Sequence, residues 1–336
     1  MKIYKRALII ILILGFSAGL IYSPQALARN YYSVGTASTG GTWYIVGAGF
    51  ANQVNKRVKN VKLTAEITAG CLENWNLIKR GKMDIAMTNP DLVYDAAAKG
   101  REGGLTAKQA NQLLWSYQLS QLEWYMRKGT PIKNIMDFKG KKIVAGPPGT
   151  TTLTNNLQVI EAITGYKPDK DYKAYYYNFA ESKTAIQDGT VDVGLNGGGW
   201  PSGLMIDLSS TVDLDWVSLT EEQMQKGLKA YPALIKEIIP KGTYKGLNKD
   251  VLTLGWSSGF ICRPELPTED VYQMIKAWFT DVAKRNVFHP KVKTYSVEAT
   301  LDFGATIAKA GIPFHPGVKK YLQEIGKWSQ ALEVKK

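Results

Sequence analysis

Histidine and cysteine are nearly absent from this chain of 336 residues: Cys71, Cys262, His289 and His315 are the full complement. None has a partner at metal-ligand spacing, which excludes the usual zinc arrangements, and few side chains remain to serve as a general base near neutral pH. H-E-x-x-H does not occur, and the string G-x-S-x-G falls only in the apolar leader at 15–19 and inside the strand-like stretch at 255–259, not at the strand-to-helix turn that a hydrolase elbow requires. The Gly146–Thr152 loop lacks the Lys that a G-x-x-x-x-G-K-[ST] phosphate loop requires. Lys and Arg number 42 against 29 Asp and Glu, yet no run of five basic residues and no nucleic-acid-binding signature accompanies the excess. It reads as a solvated basic surface with a weak pull on acidic ligands. No enzyme, metal site, cofactor or nucleic-acid partner is expected.

Long apolar runs are also lacking, with one exception at the start. Lys2, Lys5 and Arg6 precede an apolar stretch from Ala7 to Tyr22, then Pro24 and Ala26-Leu27-Ala28. That order describes a secretory signal peptide over residues 1–28, cleaved after Ala28. An uncleaved anchor is the alternative, since the run is nearly long enough to span a bilayer. The absence of Cys here removes lipid attachment. Cys71 and Cys262 would meet an oxidising compartment, but their separation says nothing about whether they pair.

What the sequence does contain is a pattern that occurs twice. A strand leads into a Gly/Ser/Thr-rich loop opening a helix, and a later apolar run ends in Asn beside Thr or Gly. The first copy runs from Val34 through Ser38-Thr39-Gly40-Gly41-Thr42 to Asp84 and Thr88-Asn89; the second runs from Val144 through Gly149-Thr150-Thr151-Thr152 to Asp192 and Asn196-Gly197. The offset is 108 residues for the Asp pair and 110 for the leading Val, which is the size of a domain. Two similar α/β lobes, each offering backbone N–H groups and hydroxyls at strand ends, describe a clamp around a small polar ligand.

Periodicity predicts helices over 42–58, 72–80, 91–99, 152–164 and 180–187. Strands are predicted over 31–35, 61–68, 84–88, 142–145, 173–177 and 191–195. An aromatic strand within 113–127 would leave the first lobe and one within 251–263 would return, so that two crossings make a hinge. A single Ser/Thr-rich loop at a helix start is more often an N-cap than a ligand site; two matching copies favour the ligand site. Asp84 and Asp192 each follow a turn Gly and read as turn hydrogen-bonders. Most Trp residues belong to the core by default, but Tyr44, Trp75 and Trp200 fall in or beside the candidate loops.

The stretch Gly35 to Tyr44, followed by Gly70 to Asn74, Gly81 to Asp91, Asp137 to Lys141, Gly146 to Thr152, Pro240 to Gly246 and Ile312 to Gly317, resembles the TAXI subclass of solute receptors from tripartite ATP-independent periplasmic (TRAP) transporters. The resemblance implies a periplasmic binding protein fold, with lobe 1 formed by 29–122 and 256–336 and lobe 2 by 123–255. It also implies a monomeric periplasmic receptor that closes on a small organic acid and delivers it to TRAP permease subunits for ion-gradient-driven uptake, without chemistry of its own. In similar proteins the ligands are glutamate, glutamine or 2-oxoacids. A sensory module serving a membrane histidine kinase is the alternative.

Carried over, Ser38, Thr39, Gly40, Gly41, Thr42 and Tyr44 line the first wall with Asn74, Thr88 and Asn89. Thr150, Thr151, Thr152 and the segment Asn196 to Pro201, including Trp200, line the second. His315, in the tail motif, reads as packing. Asn89 stands where the family commonly has Gln, and Trp200 adds an indole that would either stack on a planar ligand or narrow the pocket, so aromatic carboxylates join the candidates.

Overall fold

The computed structural model describes residues 29–39, 41–98, 104–117, 119–231, 234–280 and 289–334. The expected signal peptide and Gly40 lie outside the described residues. Among those described, no helix is long and apolar enough to cross a membrane.

The first half of the chain alternates strand and helix as the sequence predicts: β1 (Asn30–Gly35), α1 (Thr42–Arg57), β2 (Val61–Glu66), α2 (Cys71–Lys79), β3 (Ile85–Thr88) and α3 (Pro90–Ala98). β1 lies between β2 and β3 and is parallel to both. All four residues of β3 are buried, as expected where helices cover both faces of a parallel sheet. β4 (Asn111–Trp115) completes the sheet beyond a late strand, and β5 (Ser120–Gln121) and β6 (Glu123–Arg127) follow. The aromatic strand expected within 113–127 is β6, and the same stretch also holds β5 and the end of β4. The stretch is divided because the chain changes sheets between Trp115 and Glu123, where β5 pairs with a different partner from β4.

The second α/β series contains β7 (Lys142–Val144), α4 (Thr151–Thr164), β8 (Lys173–Tyr175), α5 (Phe179–Gln187) and β9 (Gly194–Asn196). β7 and β8 are parallel, and an isolated parallel bridge from Ile143 to Val193 brings in the approach to β9. α6 (Gly203–Thr211), β10 (Leu214–Trp216), α7 (Glu221–Ala230), β11 (Ile235–Ile239) and β12 (Val251–Trp256) extend this half. β13 (Gly259–Cys262) then inserts between β3 and β4, antiparallel to both. α8 (Thr268–Thr280), α9 (Val297–Lys309) and α10 (Pro316–Glu324) close the chain.

The repeated Asp residues do the same work in both copies. Asp84 accepts from the Ser33 backbone N–H at 2.8 Å, and Asp192 from that of Lys142 at 2.8 Å. Each ties the start of a third strand to the first.

Buried apolar side chains gather in separate bodies. One draws on Leu122 to Trp256; the others draw on Val34 to Leu119 and again on Phe260 to Leu332. Between them the chain passes twice, and the two passages pair: Ser120 faces Trp256 and Gln121 faces Gly255 in an antiparallel register. A two-stranded crossover of this kind can bend about its few residues without disturbing either core.

His315 packs as expected. Its Nδ1 accepts from the Gly317 backbone N–H at the start of α10, and its Nε2 lies 3.0 Å from the Leu266 carbonyl oxygen. Cys71 and Cys262 are both free and buried.

Candidate functional site

Both copies of the strand–loop–helix unit deliver their loops to one cleft. The loops lie beyond the carboxyl ends of β1, β2 and β3 on one side, and of β7, β8 and β9 on the other, which is where open parallel sheets present ligand sites. The cleft encloses a cavity of about 50 Å³. Four helices begin at it: Thr42 and Trp43 of α1, Cys71 of α2, Thr151 and Thr152 of α4, and Phe179 of α5 are first-turn residues on its wall. First-turn N–H groups have no acceptor within their own helix and carry the positive end of its dipole.

The caps differ in a telling way. Thr150 closes α4 in the ordinary manner, its hydroxyl accepting from the Leu153 N–H at 3.2 Å. Gly41 and Gly70, which precede α1 and α2, provide no side-chain cap. Gly70 takes φ 107°, a conformation that L side chains rarely adopt.

Of the residues assigned from sequence, Ser38, Gly41, Thr42, Asn89, Thr150, Thr151 and Thr152 are brought together on the cavity wall. Gly40 lies outside the described residues. Thr39 is exposed and Tyr44 half-buried, and neither is on the wall. Asn74 and Thr88 sit behind it. The Asn74 amide donates to the carbonyls of Thr36 and Met87, both at 2.9 Å, while the Thr88 hydroxyl accepts from Trp75 Nε1 at 2.7 Å.

Asn196 also stands behind the wall, donating to Glu123 at 2.7 Å. Trp200 points elsewhere, its Nε1 donating to Glu237 at 3.1 Å and its ring covered by the Lys291 ammonium at 4.5 Å. The Pro201 carbonyl faces His289 Nε2 at 3.2 Å.

The apolar wall comes from Ala37, Trp43, Phe179 and Trp256, with Ser120 beside Trp256 on the crossover. Sequence reasoning passed over them. Trp43 is one residue from Tyr44, and consecutive helical residues point about 100° apart; Ser120 and Trp256 meet only through tertiary pairing. Cys71 also reaches the wall. Burial pushes its thiol up to about 12, so it is uncharged at neutral pH.

Contacts cross the cleft directly. Thr151 Oγ1 donates to Asn89 Oδ1 at 2.6 Å, and the Asn89 amide is held in turn by the Ser257 carbonyl at 2.7 Å. Thr42 Oγ1 donates to the Gly199 carbonyl at 3.1 Å and accepts the Gly199 N–H at 2.8 Å. Lys291 Nζ and Glu237 Oε2 form an ion pair at 3.1 Å with only 6% and 5% of their side chains exposed.

Glu123, immediately after the first crossing, is fully buried. Besides Asn196 it accepts from Trp216 Nε1 at 3.1 Å and from the Tyr244 hydroxyl at 3.4 Å. Burial raises its carboxyl from 4.5 to about 7, against the opposing pull of these donors. The native state therefore binds an extra proton between those values, and stability is full below about 4.5 and falls as pH rises through about 7. The loss at alkaline pH amounts to about 3 kcal/mol. Denaturation measured from pH 4.5 to pH 8.5 should show this decline, and Glu123→Gln should flatten it.

These features define a class: an α/β protein of the two-lobe periplasmic binding protein fold. The chain belongs to the NMT1-like family, which it matches over residues 34–326. Solved structures with the same fold include the binding protein component of an ABC phosphonate transporter from Pseudomonas aeruginosa, with a TM-score of 0.50 and 11% identity over 84% of this chain and 87% of that one. A protein from Bordetella bronchiseptica RB50 gives a TM-score of 0.50 and 11% identity over 89% of this chain and 98% of its own. The periplasmic aliphatic sulphonate binding protein SsuA from Escherichia coli is also similar, with a TM-score of 0.43 and 13% identity over 89% and 91% of the two chains.

Proposed function

We propose that this protein is an exported solute receptor that captures a small organic acid between two lobes, 29–122 with 256–336 and 123–255, and hands it without turnover to a membrane permease. One observation carries the reading: four helix N-termini converge on a cleft that direct hydrogen bonds already bridge. An anion there would complete the orphan N–H groups of both walls at once, and contacts made only when the walls meet select the closed form. Ser38 and Thr152 hold the acid through their hydroxyls and Thr42 and Thr151 through their backbone N–H groups, while Thr150 caps α4 and Asn89 fixes Thr151. Trp200 and Asn196 support the wall from behind.

The motif resemblance to TAXI receptors supports a TRAP permease as the recipient, with the signal peptide 1–28 directing the protein to the periplasm. Thermal denaturation of the chain from Arg29 onward, with a panel of organic acids, tests the reading. At a hundred times its dissociation constant, a ligand adds about 2.7 kcal/mol. No stabilisation by any acid would remove the assignment. Thr151→Val leaves the buried Asn89 oxygen without its donor, which costs about 1–3 kcal/mol. Its dissociation constant should rise roughly 10- to 100-fold by calorimetry.

A further inference from the structure

The cleft carries information about which acid it takes, and the inference rests on the receptor reading above. We propose that it selects a short-chain organic monoanion, a carboxylate with an uncharged apolar tail, over dicarboxylates and α-amino acids.

Among the described residues on the wall there is no Lys, Arg, His, Asp or Glu. A helix N-terminus is worth roughly half a positive charge, so the two at the cleft that lack a side-chain cap, those of α1 and α2, together balance about one negative charge with little to spare. A second carboxylate would enter without a cation, and an ammonium group without an anion, each desolvated and unpaired.

Donors on the wall are few. Ser120 is 2% exposed and Thr152 6%, and Ser38 is half-buried; all three hydroxyls are on the wall and make no hydrogen bond among the described residues. Thr42, Thr150 and Thr151 have already committed their hydroxyl protons to Gly199, Pro147 and Asn89. The free donors thus suffice for one head group, and the rest of the wall offers indole, phenyl and methyl surface. Gly197 is what lets Thr152 sit there, since a Cβ at that position would fall 2.2 Å from the Thr152 methyl.

Size points the same way. The cavity of about 50 Å³ has room for more than the roughly 10–15 Å³ that one water needs but is small for a binding site, which favours acetate or propionate over the longer glutamate and 2-oxoglutarate.

Titration calorimetry with propionate, succinate and glutamate decides the matter. Propionate should bind at least about 100-fold tighter than either of the others. Succinate or glutamate binding as tightly would overturn the selectivity while leaving an acid receptor in place. A neutral or cationic solute binding where no acid does would overturn both. Phe179→Arg, which adds a cation to a half-buried wall position, should bring succinate within about 10-fold of propionate. An unchanged ratio in a folded variant would contradict the charge argument.

Discussion

Gly199→Ala should abolish high-affinity binding while leaving the fold intact. A Cβ on residue 199 would lie 2.4 Å from the Leu119 carbonyl oxygen and 3.1 Å from the Thr42 methyl. The first is a backbone atom and cannot rotate away, and Leu119 is anchored beside the crossover by its N–H bond to the Trp256 carbonyl at 3.4 Å. Relief comes only from backing the second wall away from the first, which breaks both Thr42–Gly199 bonds. Two such bonds are worth about 2–3 kcal/mol together, so the dissociation constant should rise at least about 30-fold, and further if the walls no longer close. Gly203→Ala is the control, because its Cβ would meet nothing within 4 Å. Calorimetry and circular dichroism on the two variants separate a closure defect from a folding defect.

Lys291→Met should cause the largest loss of stability. Lys291 follows His289 in a turn whose Val292 packs with the first-lobe core, whereas Glu237 lies on β11 beside the second. Removing the ammonium strands a buried carboxylate, with Trp200 Nε1 and the Ile238 backbone N–H left to serve it. Breaking a buried pair from one side costs about 3–5 kcal/mol, while replacing both partners by apolar groups is often neutral. Urea denaturation should therefore show a large loss for Lys291→Met and recovery of most of it in Lys291→Met/Glu237→Met. A single variant within about 1 kcal/mol of the parent would mean that the pair is not under load.

The repeat made the architecture legible. Loops rich in Gly, Ser and Thr between an apolar strand and an amphipathic helix identify themselves locally, because strand ends and helix starts are set by neighbours in sequence. That is why Ser38, Gly41, Thr42 and the segment 150–152 could be named without coordinates. Asn89 was equally visible as the last residue of a buried run. The aromatic half of the wall was not, for Trp256 and Ser120 meet through strand pairing across 136 residues, from 120 to 256.

Trp200 shows the opposite failure. Its place beside a glycine run suggested a ligand-stacking ring, but the indole is held by Lys291 and Glu237, whose approach is a tertiary event. Asn74, Thr88 and Asn196 have the polar chemistry expected of ligand contacts and spend it on the protein itself. A buried amide must satisfy its own hydrogen bonds before it is available to anything else, and sequence does not reveal which partner it finds.

Closure itself is best measured as a distance. Cys71 and Cys262 are 1% and 0% exposed, so spin labels placed on Ile67→Cys and Tyr176→Cys, at exposed positions after β2 and β8 on opposite lobes, would report the gap between the walls by pulsed electron resonance. With a saturating organic acid that stabilises the protein, the distance distribution should shorten and narrow to one population. A distribution unchanged by that acid would contradict a receptor that works by closing its lobes.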